Sequence, residues 1–274
     1  MRFGVLRFPG SCDDLDAVLA AGRVGDAEVI WHRDRDLRGV DAVIVPGGFS
    51  YGDYLRAGAI ARFSPAMESV IEFAAAGGLV LGICNGFQVL CEARLLPGAL
   101  LGNVNSRFTF RQVALEVVNA GTAFTCACAR SAAPPGASLD PDLATAGAPA
   151  APDPAILSIP AKHSWGRWYA PPETVRELSR RGQIVLRYRA GESFNGSTAD
   201  AAGVCNAAGN VFGMMPHPEH AVDALTGSTD GLAIFESMRL AVQAGRGARP
   251  GAGGAPAGGT VADGEAPASG GRHG

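Results

Sequence analysis

Basic clusters are missing from this sequence. Only 18% of its 274 residues are charged, and the formal net charge is -3. No Lys/Arg run is dense enough to hold a phosphate backbone, which argues against a nucleic-acid surface. The negative balance is too slight to imply a cationic partner. No apolar run reaches the length of a membrane span. The start has no signal-peptide pattern, because Met1-Arg2-Phe3 leads into a short apolar stretch and then Pro9-Gly10. A G-x-x-x-x-G-K-[ST] run is also absent, so no phosphate-cradling loop for ATP is expected on this chain. Six cysteines are present, Cys12, Cys84, Cys91, Cys126, Cys128 and Cys205. In a chain of this size without a secretion pattern they read as free thiols of a reducing cytoplasm.

At 47% hydrophobic, the sequence can bury a sizeable core. Phe3–Phe8, Glu28–Trp31, Asp41–Val45 and Leu79–Leu81 read as strands. Two helices are expected between them. One is capped by Asp13 or Asp14 and carries Leu15, Val18 and Leu19; the other shows a stripe of Phe63, Met67, Val70, Ile71 and Ala74. Alternating strands and helices imply an α/β fold with a doubly wound, mostly parallel sheet. Its functional loops should lie beyond the strand C-termini. The alternation of Val113, Leu115 and Val117 suggests a strand with one more polar face, and Thr125–Cys128 reads as continuing it. Cys126 and Cys128 would then face opposite ways and make a poor metal pair. Ile184–Tyr188 is another strand, and Val204–Asn206 with Val211–Met215 suits a hairpin. A last helix should present Leu232, Phe235, Met238 and Val242, with Asp230 as its cap. The Ala/Pro/Gly stretch at 131–154 is expected to be a flexible surface insertion, and 245–274 a disordered tail behind a domain spanning 1–244.

Two stretches carry candidate chemistry. Gly82-Ile83-Cys84-Asn85-Gly86 joins an apolar strand to a helix. Small flanking residues permit the tight backbone that a strand-to-helix nucleophile needs, and a helix start favours a thiolate. The same pattern also suits a small cysteine packed in a glycine-rich turn. Met214-Met215-Pro216-His217-Pro218-Glu219 follows a second strand. Extended backbone would place His217 and Glu219 on one side, with the histidine free to face a nucleophile. Cysteine, histidine and carboxylate together suit acyl transfer through a thioester. The polar, aromatic run Pro160–Trp168 reads either as a capped hairpin or as a substrate or partner edge.

These motifs resemble those of the class I (triad) glutamine amidotransferases with a flavodoxin-like fold. The run PGGFSYGDYLRAGAIAR at Pro46–Arg62 narrows the resemblance to the glutaminase subunits of phosphoribosylformylglycinamidine synthase. Val80–Leu90, Leu96–Ala99, Asn195–Ser197 and Gly213–Asp223 also match, and the resemblance covers roughly residues 1–243. It implies Cys84 as nucleophile, His217 as base and then acid, and Glu219 as its orienter. It implies an oxyanion hole from the backbone N–H groups of Gly48 and Asn85, with Gly47 and Gln88 at the substrate and no metal. Implied partners are a large synthase subunit, carrying ATP and Mg, and a small bridging subunit. The implied substrate is glutamine, and no cofactor is implied on this chain. A stand-alone cysteine hydrolase and a non-catalytic assembly subunit are the competing readings. Two departures stand out: Pro9-Gly10-Ser11-Cys12-Asp13 lacks the asparagine of the usual PGSNCD, and His220 stands where the family usually has arginine.

Overall fold

Short apolar runs bounded by glycine and proline fold here as strands, and the segments between them return as helices. The computed structural model describes residues 1–128, 155–191 and 193–245. The expected insertion at 131–154, and the expected tail beyond Gly245, lie outside these residues.

The strands are β1 (Arg2–Arg7), β2 (Asp26–Trp31), β3 (Ala42–Val45), β4 (Leu79–Ile83), β5 (Ala99–Leu101), β6 (Thr109–Val117), β7 (Ile156–His163), β8 (Arg167–Tyr169), β9 (Ile184–Tyr188), β10 (Ala201–Cys205) and β11 (Val211–Met214). The helices are α1 (Asp14–Ala21), α2 (Pro65–Ala75), α3 (Asn85–Glu92), α4 (Pro172–Arg180) and α5 (Leu232–Gln243). Nine strands form one sheet in the order β2-β1-β3-β4-β11-β10-β9-β6-β7, while β5 and β8 pair separately. From β2 to β11 neighbouring strands are parallel. From β11 to β7 they are antiparallel. The strands β3, β4 and β11 are buried throughout, as expected of central strands covered on both faces.

Register places the site. Val45 pairs with Gly82, and Gly82 and Ile83 pair with Gly213 and Met214. The chain therefore leaves β3, β4 and β11 at one sheet edge, and the three following segments converge there. This is where an open parallel sheet offers its ligand crevice.

Several local expectations change. In α1 it is Ala17, Ala20 and Ala21 that are buried, while Leu15 and Leu19 are 58% and 68% exposed. Small side chains let this helix lie close to its neighbours, so the large apolar residues turn outward. Phe63 precedes α2 in a 3-10 turn and is exposed. Thr125–Cys128 is helical turn, not strand: the Cys126 N–H donates to Thr122 O, and the Cys128 N–H to Thr125 O. Local threonine hydrogen bonds at Thr122 and Thr125 favour that turn over a ladder. Asp230 does not cap α5; its carboxylate accepts from the Ser158 N–H of β7. Pro160–His163 belongs to β7. All six cysteines are free. No described helix is long and apolar enough to cross a membrane.

Candidate active site

Cys84 follows β4 directly and stands at the N-cap of α3 with φ 50° and ψ -105°. That conformation costs a non-glycine residue about 1–3 kcal/mol, so the surroundings must enforce it. They do so through close packing. A Cβ on Gly86 would lie 1.8 Å from Val45 O, and one on Gly82 would meet Leu90 Cδ1 at 2.6 Å. The Cys84 N–H donates to Met214 O at 2.8 Å, tying the turn to β11. The thiol is nearly buried and lies 3.8 Å from Lys162 O.

His217 is delivered by the segment after β11, with its N–H donating to Pro160 O at 2.8 Å. Its ring is fully buried, and Nδ1 lies 2.6 Å from Glu219 Oε1. Nε2 is buried without a nitrogen or oxygen partner among the described residues and is free to face the thiol of Cys84. The carboxylate thus fixes one nitrogen and leaves the other for a reacting group. Burial opposes charge on this imidazole, but Glu219 and then Cys84 outweigh it through charge and hydrogen bonding, and the pKa stands well above the usual histidine range. Cys84 and the His217–Glu219 pair, more than a hundred positions apart in the sequence, are together at one sheet edge.

Gly47 and Gly48 lie between β3 and these groups. A Cβ on Gly47 would sit 2.4 Å from Asp13 Oδ2 and 2.8 Å from His217 Cε1. Gly48 has φ 137°, and a Cβ there would strike Cys12 N at 2.5 Å. Both positions therefore demand glycine. Asn85 is the first residue of α3, whose early N–H groups have no intrahelical acceptor. Its side chain accepts from the Ser50 N–H at 3.0 Å and donates to Gln88 Oε1 at 2.8 Å and Asp53 Oδ1 at 3.2 Å. Gln88 Nε2 donates to Trp165 O at 2.5 Å. Gln88 thus reaches the cavity, with both ends of its amide held by the protein.

The resulting cavity is small and opens to solvent, and it is lined among others by Cys84, His217, Gly48, Gln88, Asp53 and Trp165. Three further residues, Asp13, Lys162 and His163, have no individual role at this site in the sequence reading, which gives Asp13 as a helix cap. Asp13 sits 3.6 Å from His217 Nδ1 and forms an ion pair with Lys162 Nζ at 2.5 Å. Burial would raise its carboxyl, but bonding to His220 and the charges of His217 and Lys162 hold it well below the usual carboxylate range. Lys162 also lies 3.0 Å from His220 Nε2, which is 3.2 Å from Asp13 Oδ1. His163 is pushed down to about 3 by burial and then by His217, and is neutral. It stacks on Phe194 and bonds Asn103 through Nδ1, leaving Nε2 buried without a partner. Lys162 and His163 fall within the polar, aromatic run that the sequence marks.

No metal is expected here from the sequence, yet Asp13, His217, Glu219 and His220 place potential ligand atoms within 4.8 Å of one another. The Lys162 ammonium beside Asp13 and His220 already supplies positive charge, and it disfavours a second cation.

The description CobB/CobQ-like glutamine amidotransferase domain matches residues 1–239. The phosphoribosylformylglycinamidine synthase subunit PurQ of Mycolicibacterium paratuberculosis is 52% identical over 246 residues, 89% of this chain and 99% of that protein. The PurQ subunit of Frankia casuarinae is 50% identical, over 86% of this chain and 92% of that protein. Among solved structures, a chain of PurLQS from Thermotoga maritima superposes with a TM-score of 0.73 at 36% identity, over 88% of this chain and 98% of that one. With a family match over residues 1–239 and relatives alike across more than nine-tenths of their length, the chain belongs to the CobB/CobQ-like glutamine amidotransferase family, alongside the PurQ proteins.

Proposed function

We propose that this chain is the glutaminase subunit of phosphoribosylformylglycinamidine synthase, acting in purine biosynthesis. The observation that carries the proposal is the meeting of Cys84, His217 and Glu219 at the C-terminal edge of the parallel strands, in a chain half identical to PurQ proteins. Residues 1–244 form the amidotransferase domain.

Glutamine enters with its side-chain amide over Cys84. The thiolate adds to the amide carbon, and the carbonyl electrons move to oxygen. Backbone N–H groups of Gly48 and Asn85 receive that oxyanion, the second aided by the helix start. His217, held by Glu219, gives its proton to the departing nitrogen, and ammonia leaves. The same imidazole then takes a proton from water, whose oxygen attacks the γ-glutamyl thioester. Glutamate leaves and the thiolate returns. Gly47 allows His217 its position, and Gln88 shapes the substrate wall. This chemistry needs no metal or cofactor on this chain.

The ammonia passes to a large synthase subunit, docked together with a small bridging subunit. That subunit uses ATP and Mg to convert formylglycinamide ribonucleotide to the amidine. The setting is the cytoplasm, consistent with six free thiols. The test is reconstitution with the synthase and bridging subunits. Glutamine-dependent amidine formation is expected. Cys84→Ala should abolish it while leaving ammonia-dependent formation intact. Glutamine-dependent synthesis surviving in Cys84→Ala would overturn the proposal.

A further inference from the structure

Two carboxylates line the cavity, Asp13 and Asp53. Their situations differ. Asp13 is bonded to Lys162 and His220. Asp53 has no cationic partner among the described residues; its one hydrogen bond comes from Asn85 Nδ2. It is partly buried, so the missing countercharge is felt.

The backbone that places Asp53 is costly. Tyr51, Gly52, Asp53 and Leu55 all have positive φ, at 53°, 68°, 54° and 70°. Three of these are non-glycine residues in a region that L-residues rarely enter. Such strain persists only where the surroundings enforce it, and it gathers at ligand sites. The enforcement is visible: the Tyr51 N–H donates to Pro9 O at 2.6 Å, and the Tyr51 hydroxyl bonds His32 Nδ1 at 2.7 Å. Through Asn85, Asp53 is joined to the first residue of the nucleophile helix and to Gln88. An unpaired, rigidly held carboxylate therefore shares one small cavity with the nucleophile.

We infer that Asp53 is a specificity-determining residue that receives the α-ammonium group of glutamine. Glutamine bears its cation at the end remote from the reacting amide. Seating the amide over Cys84 leaves that cation to be matched elsewhere in the same cavity, and Asp53 is the carboxylate there without one. The contact selects an amino-acid amide over a simple amide, and it fixes the substrate's direction. The inference rests on the glutaminase reading above.

The test compares glutamine with 4-carbamoylbutanoate, which has the same amide and carboxylate but no ammonium group. Both are assayed as substrates of the reconstituted complex carrying the full chain. The wild type should prefer glutamine. Failure of the wild type to hydrolyse glutamine would count against the glutaminase reading itself. Asp53→Asn keeps an acceptor for Asn85 and removes the charge. It should raise KM for glutamine by about tenfold or more, the scale of a lost charge-assisted hydrogen bond. The kinetics of 4-carbamoylbutanoate should stay within about twofold of the wild type, a split that a purely structural role would not produce. Asp53→Ser provides the same comparison if the amide variant does not fold, and Asp53→Glu should recover part of the preference. Equal losses with both substrates would make Asp53 a support for Asn85 and overturn the inference. So would an unchanged preference, including one accompanied by weaker assembly with the synthase, which would assign the carboxylate to the partner.

Discussion

Replacing Gly47 by alanine isolates the geometry of the histidine from the chemistry of the thiol. The added Cβ would sit 2.8 Å from His217 Cε1, where ordinary contact begins near 3.4 Å. The ring, or the loop carrying Gly47, must then retreat by about 0.6 Å. On the other side, Asp13 Oδ2 at 2.4 Å must give way by more. His217 is pinned by its short bond to Glu219 and by its N–H bond to Pro160 O. The strain therefore falls on the alignment proposed for catalysis. A misplacement approaching 1 Å can cost about 10²-fold in rate. We expect Gly47→Ala to lower kcat for glutamine hydrolysis by about 10–10²-fold. Ammonia-dependent synthesis in the reconstituted complex should remain, which serves as the control for folding and assembly. Iodoacetamide should still modify Cys84, because the nucleophile turn is not displaced. Full glutaminase activity in a stably folded Gly47→Ala protein would refute the claim that His217 works from its observed position.

Other outcomes follow from the same geometry. Glu219→Gln removes the charge that orients and sustains the His217 imidazolium, and kcat should fall by about 10²–10⁴-fold with little change in KM, measured by steady-state hydrolysis. Gly86→Ala drives a methyl group into Val45 O at 1.8 Å; thermal melts should show a loss of about 3 kcal/mol, or roughly 10 °C in Tm. Burial raises the Asp53 carboxyl to about 6 despite the opposing Asn85 hydrogen bond. The carboxyl is neutral below that pH and charged above it, so KM for glutamine should drop as pH rises from about 5 to about 7, whereas KM for 4-carbamoylbutanoate should not. Hydrolysis by the isolated chain should rise at least about tenfold in kcat/KM on joining the nucleotide-loaded complex, since the proposed role gives free ammonia no acceptor otherwise. A chain ending at Ala244 should keep its Tm and its activity in the complex, because the removed segment has no apolar pattern to dock.

Local pattern made much of the sheet legible. The apolar runs at Ala42–Val45, Leu79–Ile83 and Ile184–Tyr188 are strands, and the glycines around Cys84 mark its turn. His217 and Glu219 were readable as a pair because both lie on one short proline-stiffened segment. Other features depend on contacts between distant positions. The Asp13–Lys162 pair spans 149 residues, so Asp13 read locally as a helix cap when its carboxylate is committed elsewhere. The face of α1 that packs inward differs from the leucine stripe because residue size, not hydrophobicity alone, decides which side approaches a neighbour: alanines pack inward and leucines remain outside. Asp53 gave only a weak signal, a Tyr-Gly-Asp sequence whose left-handed backbone needs Pro9 and His32 to hold it.

The central claim is that Cys84 carries the γ-glutamyl group. Cys12 lines the same cavity, which makes it the natural internal competitor. The reconstituted complex, turning over glutamine, is quenched in acid to preserve the thioester, digested and mapped by mass spectrometry. A γ-glutamyl adduct is expected on the peptide containing Cys84, lost on treatment with hydroxylamine and absent in Cys84→Ala. An adduct on Cys12, or sustained glutamine hydrolysis by Cys84→Ala, would contradict that claim.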